Sequence, residues 1–210
     1  MIDEATLRAR LYPRVPGDGT RHFGDSGTEA RARSELNDAA VLVSLVLAEA
    51  PRLLLTRRAD SLRTHKGQVA FPGGRLEVGE TAWDAARREA EEEIGLPRDV
   101  PRLVGYLDPY VTITGFRVQP CVAVLPEHLR LTPDPREVAD IFEVPLDFLA
   151  DRRNHVLRSG IRDGLRRTAY AMPYRGFDIW GATAGMIRNL IDVVFGSEVE
   201  SEDAAREKVT

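Results

Sequence analysis

The amino-acid sequence predicts an α/β fold in which a sheet is layered with helices, and three observations point there. Residues 39–48, AAVLVSLVLA, form a continuous Val- and Leu-rich run of strand length, the pattern of a strand buried on both faces. Residues 80–95 carry helical periodicity between a start and a stop signal. Residues 183–195 place Ile187, Leu190, Ile191 and Val194 at i, i+3, i+4 and i+7, a core-facing helix. Strand-like runs lying mostly between two such helices bury their apolar surface as a layered sandwich.

Taken in order, residues 2–13 set Ile2, Leu7 and Leu11 among charges, a weak amphipathic helix. Residues 15–36 run through Pro, Gly, Asp, Arg, Thr and Ser and read as a loop. The 39–48 strand is followed by a turn at Ala50-Pro51 and a second buried strand at 53–58. In the helix at 80–95, Thr81 is the N-cap with Asp84 three residues on, and Gly95 before Leu96-Pro97 is the stop. Beyond it, 102–107, 117–125 and 167–174 read as strands, and 141–149 as a strand end entering a short helix. Residues 197–210 hold five acids and two bases with little that is apolar, and are expected to fray. The organisation is therefore a helix and lead-in segment at 1–37, one domain at 38–196 and an acidic tail at 197–210.

Composition removes several classes. With 210 residues, 43 % hydrophobic and 30 % charged, the chain is neither collagen-like nor wholly disordered. The 29 Lys and Arg against 33 Asp and Glu give a net charge of −4, so nothing marks nucleic acid as a partner. The one cysteine, Cys121, has no internal disulfide partner, and four histidines without a cysteine cluster argue against structural zinc. No apolar signal segment stands in the first 30 residues, and the longest uncharged stretches are about half of the roughly 20 residues that span a bilayer. A soluble, cytoplasmic protein without a membrane partner is expected. No feature of the sequence decides the oligomeric state, and a homodimer stays open.

The 80–95 helix carries the chemistry. On a helical wheel Trp83, Ala86, Ala90 and Ile94 share one stripe, the packing face, and Glu89, Glu92 and Glu93 project together along its edge. Six acids stand against two bases in this stretch. Like charges at i, i+4 repel, more so when partly desolvated, and a divalent cation relieves the strain. A solvated acidic face is the common explanation of a Glu-rich helix, and Glu91, which points away from the other three, fits it. For the other three, the run PGGRLEVGE just ahead supplies Gly73-Gly74, through which backbone approaches a ligand or metal closely. Carboxylate and water oxygens favour Mg²⁺ or Mn²⁺ over zinc.

Gly74, five residues, Glu80, seven residues, then Arg88-Glu89-Ala90-Glu91-Glu92-Glu93-Ile94-Gly95-Leu96 resembles a complete Nudix box, G-x5-E-x7-R-E-U-x-E-E-x-G-U, where U is aliphatic. The resemblance implies an α/β/α sandwich with a mixed sheet and metal-assisted hydrolysis of a diphosphate joined to another moiety. It implies further that Glu89, Glu92 and Glu93 hold the metals beside Gly74, that Glu92 or Glu93 activates water, and that Arg88 orients these carboxylates. A diphosphate and three carboxylates repel, so cations between them are required in this reading.

Upstream, LLTRRADSLRTHKGQVAFPGG at 54–74 is similar to the extra segment ahead of the box in coenzyme A pyrophosphatases, a Nudix subgroup. Softer similarities are LDPYVTITGFRVQPCVAVL at 107–125, EVADIFEVPL at 137–146 and IWGATAGMIRNLID at 179–192. Arg57, Arg58, Arg63, His65 and Lys66 crowd ten positions of an otherwise acidic chain, and Gln68 follows. A cationic pocket suits the 3′-phosphate of coenzyme A. The expected substrate is coenzyme A or a derivative, cleaved to 3′,5′-ADP and 4′-phosphopantetheine. Other nucleoside diphosphate derivatives (ADP-ribose, NADH, oxidised nucleotides) are the alternative, and a non-catalytic Nudix-fold regulatory module is a third. Trp180 and Phe116 are expected in the core.

Overall fold

A computed structural model describes residues 2–17, 23–25, 28, 32–62, 64–162 and 165–196. The first half of the chain forms helix α1 (Glu4–Arg10), strands β1 (Phe23–Gly24), β2 (Asn37–Val46), β3 (Arg52–Arg58), β4 (Val69–Ala70) and β5 (Gly73–Arg75), and helix α2 (Ala82–Ile94). The second half forms β6 (Arg102–Tyr106), β7 (Tyr110–Val111), β8 (Phe116–Leu125), β9 (Val138–Pro145), α3 (Leu146–Ala150), β10 (Val156–Arg162), β11 (Leu165–Tyr174), β12 (Phe177–Trp180) and α4 (Ala182–Phe195).

The centre of the larger sheet is β2 running parallel to β8, paired from Asn37 with Phe116 to Val46 with Leu125. β5 pairs antiparallel with the first half of β2 and β3 with its second half. β9 and β4 flank β3, β6 and β7 flank β8, and β1 lies parallel to β7. The sheet is thus mixed. β10, β11 and β12 form a separate antiparallel sheet.

The apolar run is continuous because β2 is covered on both faces. Ala39, Val43 and Leu45 point into a core completed by α1, α3, α4 and the small sheet, with Leu7, Leu149, Met172, Ile179 and Ile187 fully buried there. Ala40, Leu42 and Val46 point the other way, against Ala85, Ala86, Ala90 and Ile94 of α2. The result is the expected α/β/α sandwich. Among the described residues no helix is long and apolar enough to cross a membrane.

The N-terminal segment does more than lead in. Leu7 and Leu11 belong to the main core, and Tyr12 bridges to Tyr106. The stretch expected to be loop contains β1 and a single 3₁₀ turn at Arg33–Glu35, and Asp25 anchors it by accepting from the Tyr110 hydroxyl and the Ile113 N–H, each at 2.8 Å. That anchorage is 85 residues away in sequence, so local composition does not reveal it. The acidic tail at 197–210 lies outside the described residues. Because Leu7 is fully buried, Leu7→Ala should cost about 2–5 kcal/mol in a urea titration. Unchanged stability would show that α1 is not part of the cooperative core.

Candidate functional site

The site forms where α2 meets β5. α2 starts where the Thr81 Oγ accepts from the Asp84 N–H, and the Thr81 hydroxyl donates in return to the Asp84 carboxylate, at 2.6 Å. It ends at Gly95, whose φ of 66° is left-handed, with the Leu96 N–H closing back to the Ala90 carbonyl. Its packing face is mostly alanine, which lets the helix approach the sheet closely. Trp83, expected on that face, is only half-buried at its edge, beneath the Arg87 guanidinium.

The two glycines of β5 meet two different neighbours, β2 backbone at Gly73 and the α2 carboxylate of Glu89 at Gly74. A side chain at Gly73 would place its Cβ 2.3 Å from the Ala40 carbonyl oxygen on β2. One at Gly74 would place it 2.4 Å from the carboxylate of Glu89. The Gly73 N–H donates to Glu93 Oε2 at 3.2 Å, and Arg58 Nη1 stands 3.8 Å from Glu93 Oε1.

Arg88 organises the remaining acids. Its Nε and Nη2 chelate Glu80 at 2.8 and 3.0 Å, Nη1 donates to Glu89 at 2.7 Å and reaches Glu92 at 3.4 Å, and Nη2 also meets the Arg75 carbonyl. The guanidinium hydrogen bonds hold the Glu80 carboxyl below its ordinary range. Glu89 is pushed up by burial, which the Arg88 charge offsets in part and Glu92 and Glu137 reinforce. Burial pushes the Glu93 carboxyl up to about 8, against the Gly73 N–H and Arg58, with Glu89 and Glu137 adding to the rise. Glu91 faces out and pairs with Arg98 at 2.6 Å. Glu137, at the head of β9, is thus a carboxylate of this site that the box spacing does not contain. It stands first in the 137–146 segment, and the Asp134 N–H bonded to the Glu93 carbonyl ties the preceding turn to α2.

Among the described residues no three acidic or histidine side chains converge into a ready metal cage. Glu89 and Glu92 are instead turned to Arg88. The donor chemistry still fits a hard divalent cation: oxygen donors only, with Glu89 and Glu93 pushed up first by burial and further by neighbouring carboxylates, beside the small residue Gly74.

A cleft of about 690 Å³ opens beside Gly73 and Gly74. Of the basic segment, Arg58, His65 and Gln68 line it, and His65 Nδ1 meets Gln68 Oε1 at 2.8 Å. Arg57 does not: its guanidinium is held by Asp140 at 2.6 Å and Asp60 at 3.1 Å, a partner pair that lowers its value as a phosphate contact. Lys66 is exposed away from the lining, and Arg63 lies outside the described residues. Trp180 and Phe116, expected in the core, stand in the cleft wall instead, the former 43 % exposed and the latter half-buried with Arg75 over its ring. Arg75 and Arg167, also in the wall, were not marked by the sequence.

Residues 36–163 match the model of the NUDIX domain family. A protein of Enterobacter sp. (strain 638) named "Uncharacterized Nudix hydrolase NudL" is 42 % identical over 163 residues, 76 % of this chain and 84 % of that protein. Its namesake in Yersinia pestis (strain Pestoides F) is 41 % identical over 158 residues, 74 % and 79 % of the two chains. Among solved structures, the Nudix hydrolase RenU of M. smegmatis shares the fold with a TM-score of 0.50 and 23 % identity, over 87 % of this chain and 98 % of that one. The chain belongs to the Nudix hydrolase family. It is a pyrophosphatase-type enzyme of a family that acts on nucleoside diphosphate derivatives and generally uses divalent cations.

The raised Glu93 carboxyl has a consequence for stability. Its folded value of about 8 exceeds the ordinary 4.5, so folding favours the protonated form. The associated stability is complete below about pH 4.5 and is lost as pH rises through about 8. The metal-free protein should lose Tm across that window, and Glu93→Gln should flatten the loss. Parallel Tm-against-pH curves for the two proteins would contradict the assignment.

Proposed function

We propose that the protein hydrolyses the diphosphate of coenzyme A or its acyl derivatives, in the cytoplasm, with Mg²⁺ or Mn²⁺. The observation that carries this reading is the position of the basic segment: Arg58, His65 and Gln68 line a cleft that ends at Gly73 and Gly74, against which Glu89 and Glu93 are packed. A phosphate on the ribose would then meet the Arg58 cation and the hydrogen-bonding His65 and Gln68, while the diphosphate would lie at the carboxylates beyond.

Glu89, Glu92 and Glu93 would hold the cation beside Gly74. Bound there, a divalent cation supplies charge to the diphosphate oxygens and acidifies water. Glu92 or Glu93 takes the proton as water oxygen joins one phosphorus, and the bond from that phosphorus to the bridging oxygen breaks. Arg88 keeps the carboxylates in place and Glu80 fixes Arg88. The products are 3′,5′-ADP and 4′-phosphopantetheine or its acyl form. Hydrolysis of other nucleoside diphosphate derivatives is the second reading, favoured by the apolar share of the wall at Val41, Ile113, Phe116 and Val118, which asks for no 3′-phosphate.

Glu92→Gln and Glu93→Gln should each lower turnover by at least about a hundredfold while the protein stays folded, and Glu91→Gln should be nearly silent. Near-normal turnover in both of the first two variants would remove these residues from the chemistry. Dephospho-coenzyme A should be poorer than coenzyme A by roughly ten- to a hundredfold in kcat/KM, the effect of one lost charge-assisted hydrogen bond. Arg58→Ala should shrink that ratio; the ratio is read because Arg58 also borders Glu93. Equal use of both substrates by the native enzyme moves the function to the broader nucleotide reading.

A further inference from the structure

We infer that Trp180 is the stacking platform for the adenine base of the substrate, an assignment that rests on the adenine nucleotide reading above. Trp180 ends β12 in the cleft wall and is 43 % exposed. Among the described residues no ring or guanidinium covers its indole. Phe116, the other large aromatic of the cleft, already carries the Arg75 guanidinium 4.9 Å from its ring centre. A bare indole is a costly surface for water and a good one for a purine, whose flat face stacks on it whatever its edge pattern.

Position decides which half of the substrate it meets. β12 packs beside β4, and the Thr183 hydroxyl, three residues after Trp180, donates to the Val69 carbonyl on β4 at 2.9 Å. β4 follows directly on His65 and Gln68. The indole and the basic segment therefore form one wall, with Arg58 on the neighbouring β3. Base and ribose phosphate belong to the same nucleoside, so a wall that offers a stacking face beside cations suits the nucleoside end. Thr112, Ile113 and Val118 on the other side of the cleft are left for the pantetheine arm.

Trp180→Ala should raise KM for coenzyme A by roughly five- to a hundredfold with kcat little changed, and Trp180→Phe should restore most of the loss. Trp180 and Trp83 are the two tryptophans of the chain. Saturable quenching of indole fluorescence by 3′,5′-ADP in the native protein, absent in Trp180→Phe, supports the assignment. Quenching by 4′-phosphopantetheine instead, or an unchanged KM in Trp180→Ala, overturns it. If coenzyme A is not hydrolysed, the substrate reading fails by itself. Quenching by AMP or 3′,5′-ADP then still upholds the platform, and its absence removes it.

Discussion

Gly73 lets β5 lie against β2 and Gly74 leaves room for Glu89 of helix α2, so that the Glu89 and Glu93 carboxylates are pressed between helix and sheet. A Cβ at Gly73 would strike the β2 backbone, and one at Gly74 would push the Glu89 carboxylate from its place. The closeness takes these carboxylates out of water, and that desolvation is the first cause of the rise in both of them. The alanine face of α2, its two caps and the parallel pairing of β2 with β8 all serve to hold this contact at fixed distance. A looser helix would leave the same acids hydrated, mutually screened and chemically ordinary.

Within that contact Arg88 holds oxygens that, in the proposed reading, a cation would use. Arg88 is mostly buried and spreads its guanidinium over Glu80, Glu89 and Glu92, so the acids can fold together without an ion. Glu80 takes two of its hydrogen bonds and anchors it, which leaves the 3.4 Å contact with Glu92 as the weakest and the one an ion would displace at least cost. An apparent absence of a preformed metal cage is therefore consistent with a donor set that is complete in kind.

Legibility in the sequence followed range. The α2 caps, its Ala-lined face and the outward Glu91 depend on spacings within one helix, and the both-faces burial of β2 shows as an unbroken apolar run. Arg57 looked like its neighbour Arg58, but Asp140, 83 residues on, holds it away from the cleft. Trp180 and Phe116 sit at strand ends whose local pattern is the same whether a helix covers them or a cleft lies in front. Only the pairing of β12 with β11, and of β8 with β2 and β7, decides it. Glu137 belongs to the site because the turn before β9 is bonded to α2, a contact without any local mark.

The charges of the molecule divide along the same cleft. Beyond Gly73 and Gly74, which line it, Glu80, Glu89 and Glu92 gather round Arg88 and Glu93 stands 3.8 Å from Arg58, so anion outweighs cation there. From the end of β3 to β4 the lining side chains are Arg58, His65 and Gln68, with no carboxylate among these three, and Asp25 lines the cleft by Ile113. In the proposed reading a substrate with several phosphates would be repelled at one end and attracted at the other, which would orient it before any close fit. Arg58, the cation of that basic stretch, would bind a phosphate without cutting it. At the carboxylate end Glu89, Glu92 and Glu93 would hold a cation that offsets the repulsion, and Glu92 or Glu93 would take the proton of water. In the proposed reading, binding and cleavage are thus kept apart by which end of the cleft carries negative charge.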